Sequence, residues 1–491
     1  LHADPEQLAA QLLDLEYTLI PHGLHVVGEG LNVEQRVAML DAAGVTDAGE
    51  RARLDGLLAE DHEVPAIIHA LDGGYIRPAP GGDLLRTTEV LPTGRNLHGF
   101  DPFRIPSAFA VRDGARQADR LLARHQADSG SYPATVAMVL WGTDNLKTEG
   151  GPIAQAIWLL GAEPRCDSYG RVSGAKLVPL ETLGRPRIDV IATLSGIFRD
   201  LLPLQTKLLA EAALLAATAD EPIEQNFVRL HALAFQAENG GSIEDAALRV
   251  FGNADGAYGA NVNQLVGSGT WNDEGELADA YLKRKGFAYG VSGKPRRHDA
   301  VLSHALARVD IAYQNLDSLE LGVTTVDHYF DTLGGISRAV RRARGGQAAA
   351  VYIGDQTRGD GTVRTISEQI ALETRTRALN PKWYEALLSH GYEGVREIEA
   401  HVTNTLGWSA TTGEVQPWVY EKLSETFVLD PAMRERLAAL NPTASAKIAN
   451  RLIEAHERNY WLPGDAMREA LQHAGEELED RLEGVGLEVA A

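Results

Sequence analysis

Two mainly apolar runs most constrain the fold open to this chain: ATVAMVLWG, from Ala134 to Gly142, and RIDVIATLSG, from Arg187 to Gly196. Neither alternates polar and apolar side chains, so each predicts a strand buried on both faces. Between them TEGGPIAQAIWLLGAE carries a helical period, and after the second FRDLLPLQTKLLAEAALLAATA predicts one long helix. Strand alternating with helix implies a parallel α/β sheet. In such sheets ligands gather beyond the carboxyl ends of the strands. Here those ends are Trp141–Asn145 and Ser195–Asp200.

A length of 491 residues exceeds one ordinary core and suggests about two to four domains. The expected class is α/β and multidomain, with a parallel-sheet region followed by a mainly helical C-terminal region. Residues 1–130 are expected to be helical with ordered Gly/Pro loops, 131–265 to hold the sheet, and 266–491 to be mainly helical. Within the first part Asp4–Leu19 has a helical period, Pro21–Asn32 is turn-rich, Val33–Leu40 is an amphipathic helix, and Gly73–Arg86 is an ordered loop. In the last part Ser367–Leu379 predicts a helix that Asn380–Pro381 should end, and the acidic HAGEELEDRLEG predicts a surface helix. No internal repeat of fixed period is present.

Charge and composition exclude several classes. A formal net charge of −22 opposes nucleic acid and simple adhesion to anionic lipid. No apolar run reaches the roughly 18 residues that cross a bilayer. The single cysteine, Cys166, leaves no internal disulfide and no cysteine-based metal centre, which fits a reducing cytoplasm. The start has no basic region followed by an apolar segment, so Leu1 is expected to be a cut end within a longer chain. Gly290–Lys294 is the nearest approach to a phosphate loop; its spacing is wrong and Pro295 follows, so ATP hydrolysis by this chain is not expected.

Chemistry-bearing residues crowd into GRNLHGFDPFRIPS, Gly94–Ser107, where Gly and Pro leave no room for a regular helix or strand. Arg95, His98, Asp101 and Arg104 fall there, and polar groups held in a rigid loop suggest a site. His98 and Asp101 stand three residues apart, close enough for one to orient the other; the plainer alternative is that His98 caps a turn and the arginines tie elements together. Arg199 and Asp200 follow the second strand and form a candidate ion pair at the cleft rim. Arg185, Arg187 and Asp189 are better explained as a structural salt-bridge network. Lys147 and Glu149 sit near a helix start, where a negative charge is favoured for dipole reasons alone. His22 and His25, with Glu29 nearby, lack a further strong ligand, so no metal ligand set is assigned. Trp271, Trp383, Tyr384, Trp408 and Trp418 are expected in the core.

The loop GRNLHGFDPFRIPSAFA, the stretches WGTDNLKTEGG, LSGIFRD and FGNADGAYGANVN, the segment YQNLDSLELGVTTVDHYFDTLGG and the run Asn380–Glu421 occur in this order. Together they resemble the large-subunit family of magnesium and cobalt chelatases, in its C-terminal portion and nearest to the bacteriochlorophyll branch. Here the chain departs from that pattern at Glu149-Gly150-Gly151, where many members of the family carry Tyr-Gly-Glu after Lys-Thr, so Glu149 is not carried over as a site residue.

The resemblance implies ATP-dependent insertion of Mg²⁺, as substrate ion, into protoporphyrin IX, with the nucleotide hydrolysed by two AAA+ type partner subunits rather than bound by this chain. It further implies handover of product to a magnesium-protoporphyrin methyltransferase. On that footing His98 and Asp101 are the catalytic candidates, and Arg95, Arg104, Arg199 and Asp200 are the candidates for holding the ring and its propionates. Two alternatives stand beside it: a cobalt chelatase large subunit acting on hydrogenobyrinic acid a,c-diamide, and a tetrapyrrole carrier or sensor without catalysis.

Overall fold

In the computed structural model, which describes residues 26–80, 84, 88–98, 101–318, 320–357 and 361–484 and, of Pro80, Leu97 and His98, the backbone alone, both apolar runs become central strands. The strands are β1 (Pro78–Pro80), β2 (Asn96–His98), β3 (Thr135–Leu140), β4 (Ala162–Cys166), β5 (Val172–Leu177), β6 (Asp189–Leu194), β7 (Val250–Gly252), β8 (Phe287–Tyr289), β9 (Pro295–Arg297), β10 (Ile311–Leu316), β11 (Ala350–Asp355) and β12 (Thr362–Thr365). Eight of them form one sheet in the order β12-β11-β10-β3-β6-β7-β8-β9. The five from β11 to β7 are mutually parallel, and antiparallel neighbours finish both margins. Every residue of β3, β6 and β10 is buried, as central strands covered on both faces require.

From β3 the chain builds outward through β6 and β7, then returns to the other side of β3 to lay down β10 and β11. The winding direction therefore reverses between β3 and β10. A reversal of this kind opens a crevice at the carboxyl ends of the two strands.

One apolar core joins the sheet to the helices that follow it, from Ile105 to Leu478. A smaller cluster of Leu40, Leu54, Leu58 and Leu91 lies apart, around the helices Val33–Ala42 and Ala48–Ala59. The first of these begins in a capping box, with Asn32 and Gln35 each accepting from the other's backbone amide. Among the described residues, no helix is long and apolar enough to cross a membrane.

Several expectations are corrected in detail. The segment Phe198–Ala219 is two helices, Gly196–Leu201 and Pro203–Thr218, because Pro203 has no amide to continue the first. The loop Gly94–Ser107 contains β2, paired in parallel with β1, and a 3₁₀ turn at Pro102–Arg104. Three-residue strands are too short to leave a period in sequence. The sheet also extends past 265, since β8 to β12 lie between Phe287 and Thr365; the division expected at 265/266 falls inside it. Continuous helical structure begins at Ile366. Asp4–Leu19, His22 and His25 lie outside the described residues.

The aromatic residues expected in the core are there: Trp271 and Trp408 are buried, and Trp383, Tyr384 and Trp418 pack against the same cluster. Trp383 lies against His401, ring centroids 5.5 Å apart, on the central helix Tyr392–Thr412. His401 is 1% exposed, and neither ring nitrogen has a hydrogen-bond partner. Burial holds its pKa well below the ordinary value; Glu373 opposes that shift and Arg377 adds to it. The unfolded chain therefore binds this proton more readily, so the stability His401 allows is complete above about pH 6.5 and is lost as pH falls below it. Each pH step of one below that point costs about 1.4 kcal/mol until the folded ring itself takes the proton. Urea melts from neutrality down to mild acid should show a falling midpoint, and His401→Leu should flatten that fall. An equally steep fall in the variant would assign it elsewhere.

Candidate functional site

The polar segments converge on one edge of the sheet because they follow neighbouring strands. WGTDNLKTEGG leaves β3, LSGIFRD spans the end of β6 and FGNADGAYGANVN spans the end of β7. Gly142 and Ser195 tie the first two together: the Gly142 amide donates to Ser195 Oγ at 3.1 Å, and that hydroxyl also accepts from Phe198 N at 3.1 Å. A Cβ on Gly142 would stand 2.6 Å from Phe198 N, so only glycine lets these two helix starts meet.

Arg199 and Asp200 form the expected ion pair, 2.7 Å from Nε to Oδ1. The Arg199 side chain is 5% exposed; its guanidinium lies 5.2 Å from the Tyr258 ring centre and donates through Nη1 to the carbonyls of Ala254 at 2.5 Å and Ala257 at 2.7 Å. Tyr258 Oη donates to Asp200 Oδ2 at 2.5 Å. The Arg199 bond, joined by that of Tyr258, holds the Asp200 carboxyl below the usual range against partial burial. The pair thus clamps the loop after β7 onto the end of β6.

Two more buried charges fix that loop. Lys285, 1% exposed, donates to Leu194 O at 3.0 Å and Asn253 Oδ1 at 2.8 Å; burial pulls it down to about 8, with Asp331 opposing. Asp331 accepts from the amides of Ala260 at 2.6 Å, Val262 at 2.8 Å and Asn263 at 3.1 Å. It caps from outside a helix start that has no side-chain cap of its own.

The Gly94–Ser107 loop reaches the same edge. Gln205 Nε2 donates to the carbonyls of Pro102 at 2.6 Å and Ile105 at 2.9 Å, and the Ser107 amide donates to Glu149 O at 3.0 Å. Gly150, at φ +94°, sits against Ile105 and Pro106, where a Cβ would come within 2.8 Å. Asp101 accepts from Phe103 N at 3.0 Å and stands 3.4 Å from Arg104; both side chains are well exposed. Arg95 turns inward instead, donating to the carbonyls of Pro92 at 3.2 Å, Leu91 at 2.7 Å and Glu89. His98 ends β2, and its side chain lies outside the described atoms.

The structural reading of Arg185, Arg187 and Asp189 holds, as three separate anchors rather than one network. Arg185 donates to the carbonyls of Trp158, Leu159 and Pro186. Arg187 pairs with Glu221, and Asp189 with Arg249 and His231.

The carboxyl ends of β3 and β10 bring together further polar groups, most of which the sequence did not single out. Asp144, on the helix Gly142–Lys147, is half-buried, and its Oδ2 is enclosed without a hydrogen-bond partner; Thr143 Oγ1 reaches Oδ1 at 3.4 Å. Burial, then the nearby Asp317 carboxylate, pushes the Asp144 carboxyl up to about 7, against the pull of Lys147 and Thr143. Lys147 stands 3.6 Å from Asp317 Oδ1 and also donates to its backbone carbonyl. Trp141 donates through its indole to Gln314 Oε1 at 3.2 Å and packs on Tyr329, ring centroids 5.5 Å apart. Burial, with Asp144, Glu373 and Asp317, pushes the Tyr329 phenol up. Asp144 was within reach of sequence reasoning, since Trp141–Asn145 was placed at a strand end. Asp317 was not, because the Gln314 and Asn315 of β10 hide a buried strand.

A family model described as CobN/Magnesium Chelatase matches residues 47–468. A magnesium-chelatase subunit of Rhodobacter capsulatus is 62% identical over 487 residues, covering 99% of this chain and 40% of that protein. The aerobic cobaltochelatase subunit CobN of a Sinorhizobium species is 35% identical over 411 residues, 82% of this chain and 32% of that protein. Among solved structures, the catalytic subunit of cobaltochelatase from Mycobacterium tuberculosis superposes with a TM-score of 0.83 at 37% identity, covering 91% of this chain and 40% of that one. The chain thus spans about 40% of the length of its bacterial magnesium-chelatase relative.

Proposed function

We propose that this chain, which belongs to the CobN/magnesium chelatase family, is the portion of a magnesium chelatase large subunit that holds protoporphyrin IX while Mg²⁺ is inserted, in bacteriochlorophyll synthesis. The observation that carries this is the gathering of the polar segments on one sheet edge, in a chain whose likeness to the magnesium-chelatase relative runs through all of them. Insertion requires Mg²⁺ to shed tightly held water and two pyrrole nitrogens to lose their protons, while a flat apolar ring with two carboxylates is kept in place.

Arg104, well exposed beside Asp101, is the group available to a propionate. Arg95 is proposed to shape that loop through its backbone contacts, and Arg199 with Asp200 to set the opposite rim. His98 and Asp101 are proposed to act on the water shell of the ion as it enters the ring. ATP is hydrolysed by AAA+ type partner subunits, and product passes to a methyltransferase in the cytoplasm.

Fluorescence-quenching titration of the full-length protein with a soluble protoporphyrin analogue tests this. Arg104→Ala should weaken binding about 10-fold or more, the worth of one charge-assisted hydrogen bond, and His98→Ala should spare binding while lowering insertion. A folded wild type that shows no saturable quenching overturns the reading. The likeness to cobaltochelatase keeps one competitor in view: tighter binding of hydrogenobyrinic acid a,c-diamide than of protoporphyrin would transfer the assignment to it.

A further inference from the structure

We propose that Asp144 is the side chain that takes up the pyrrole proton during metal insertion and that Asp317 sets the pH at which it can do so, an inference that rests on the porphyrin-holding reading above. The placement is the first reason. Asp144 lies on the helix after β3 and Asp317 directly follows β10, the two strands that flank the reversal in winding. Ligands of open parallel sheets settle at that point.

The second reason is what each carboxylate touches. Asp189, Asp331 and Glu373 are buried and each accepts two or more hydrogen bonds, which commits them to structure. Asp144 has one enclosed oxygen with no donor. Fully buried Gln314 is similar: Trp141 engages its Oε1 while its Nε2 has no partner. Two enclosed polar atoms without partners, one on the helix after β3 and one in the neighbouring strand β10, are unusual in a finished core and suit a place where a ligand completes the bonding. The rings of Trp141 and Tyr329 supply apolar wall beside it.

The groups facing Asp144 are Thr143 and Lys147 on its own helix, Asp317 beyond β10, and Tyr329 on the helix Asp327–Tyr329, itself within reach of Glu373. Lys147 is engaged by Asp317, so its charge is shared between the two carboxylates. Burial and the Asp317 charge together raise the Asp144 carboxyl, which makes Asp144 an acceptor able to cycle near neutrality. In the step itself a pyrrole N–H bond breaks as an O–H bond forms on Asp144. The nitrogen keeps the electron pair and offers it to Mg²⁺. The proton then passes to water, which restores the carboxylate for the second N–H.

The test uses the full-length protein with its ATPase partner subunits, following insertion rate against pH and, in parallel, porphyrin binding by fluorescence quenching. Asp144→Asn should lower kcat about 100-fold or more, with porphyrin affinity within a factor of two of wild type and thermal stability at least equal. Asp317→Asn should keep substantial kcat at neutral pH and move the acid limb of the rate profile to lower pH, because the charge that raises Asp144 is gone. Wild-type binding and insertion together with an unchanged kcat in Asp144→Asn overturns the proton role alone, as does an acid limb that stays in place in Asp317→Asn. A folded wild type that binds no porphyrin overturns the functional reading, and this inference with it.

Discussion

Asp189→Ala should lower the unfolding free energy by about 3–5 kcal/mol, the usual result of stripping one partner from a buried ion pair. Asp189 opens β6 at 1% exposure and accepts from Arg249 Nε at 2.7 Å and from His231 Nδ1 at 2.9 Å. Arg249 is itself 3% exposed, so the variant leaves a guanidinium in the core with only the carbonyls of Ala246 and Leu248 to meet it. Burial works against ionisation of Asp189, yet Arg249 and His231 outweigh it and hold the carboxyl below the usual range. A depressed carboxyl contributes fully above its unfolded pKa, about 3.9, and that contribution disappears as pH falls further. The loss in Asp189→Ala should therefore be largest at neutral pH and shrink in acid. Denaturant melts at the two pH values check both statements; a neutral-pH loss below about 1 kcal/mol would mean that water reaches Arg249.

The legible and illegible parts of this molecule divide along physical lines. Ala134–Gly142 and Arg187–Gly196 gave themselves away because a strand buried on both faces needs a mainly apolar run, and their carboxyl ends followed from the rule for parallel sheets. Arg199–Asp200 was legible for the same reason, as a charged pair directly after a strand. Several of the strands that escaped were too short or too polar to carry a period. The strands β1, β2, β8 and β9 have three residues each, and β10 interrupts its apolar run with Gln314 and Asn315, side chains whose partners Trp141 and Gln155 come from elsewhere in the chain. With β10 hidden, the reversal beside β3 was hidden too, and so was the partnership of Asp144 with Asp317. The side chains that fix the rims, Lys285, Asp331 and Glu373, lie far in sequence from the loops they hold, and no local pattern announces such a role.

Glu373→Gln should cost about 3 kcal/mol and loosen the crevice selectively, because a buried acceptor is replaced by a group that is half donor. Glu373 ends the helix Ile366–Glu373 with no exposure, and its carboxylate receives Val323 N at 2.9 Å, Thr324 N at 3.0 Å, Thr324 Oγ1 at 2.6 Å and Gln369 Nε2 at 2.8 Å. A glutamine carries one acceptor oxygen where the carboxylate has two, and its amide would face N–H groups that have no other acceptor. From the opposite side Trp408 Nε1 donates to Val323 O at 2.7 Å and Asn404 Nδ2 to Thr324 O at 3.0 Å, so the helix Tyr392–Thr412 continues to grip the segment when Glu373 lets go. The expected outcome is local opening rather than global collapse: hydrogen exchange should quicken at Val323 and Thr324 while the amides of β3 and β6 keep their protection. Unchanged exchange at Val323 would show that Trp408 and Asn404 suffice to hold it. Since Asp317 precedes this segment by only a few residues, the looser tether should also blur the spacing between Asp317 and Asp144. The acid limb of the insertion profile would then move in the direction expected for Asp317→Asn, by a smaller amount, in a variant that leaves both aspartates in place.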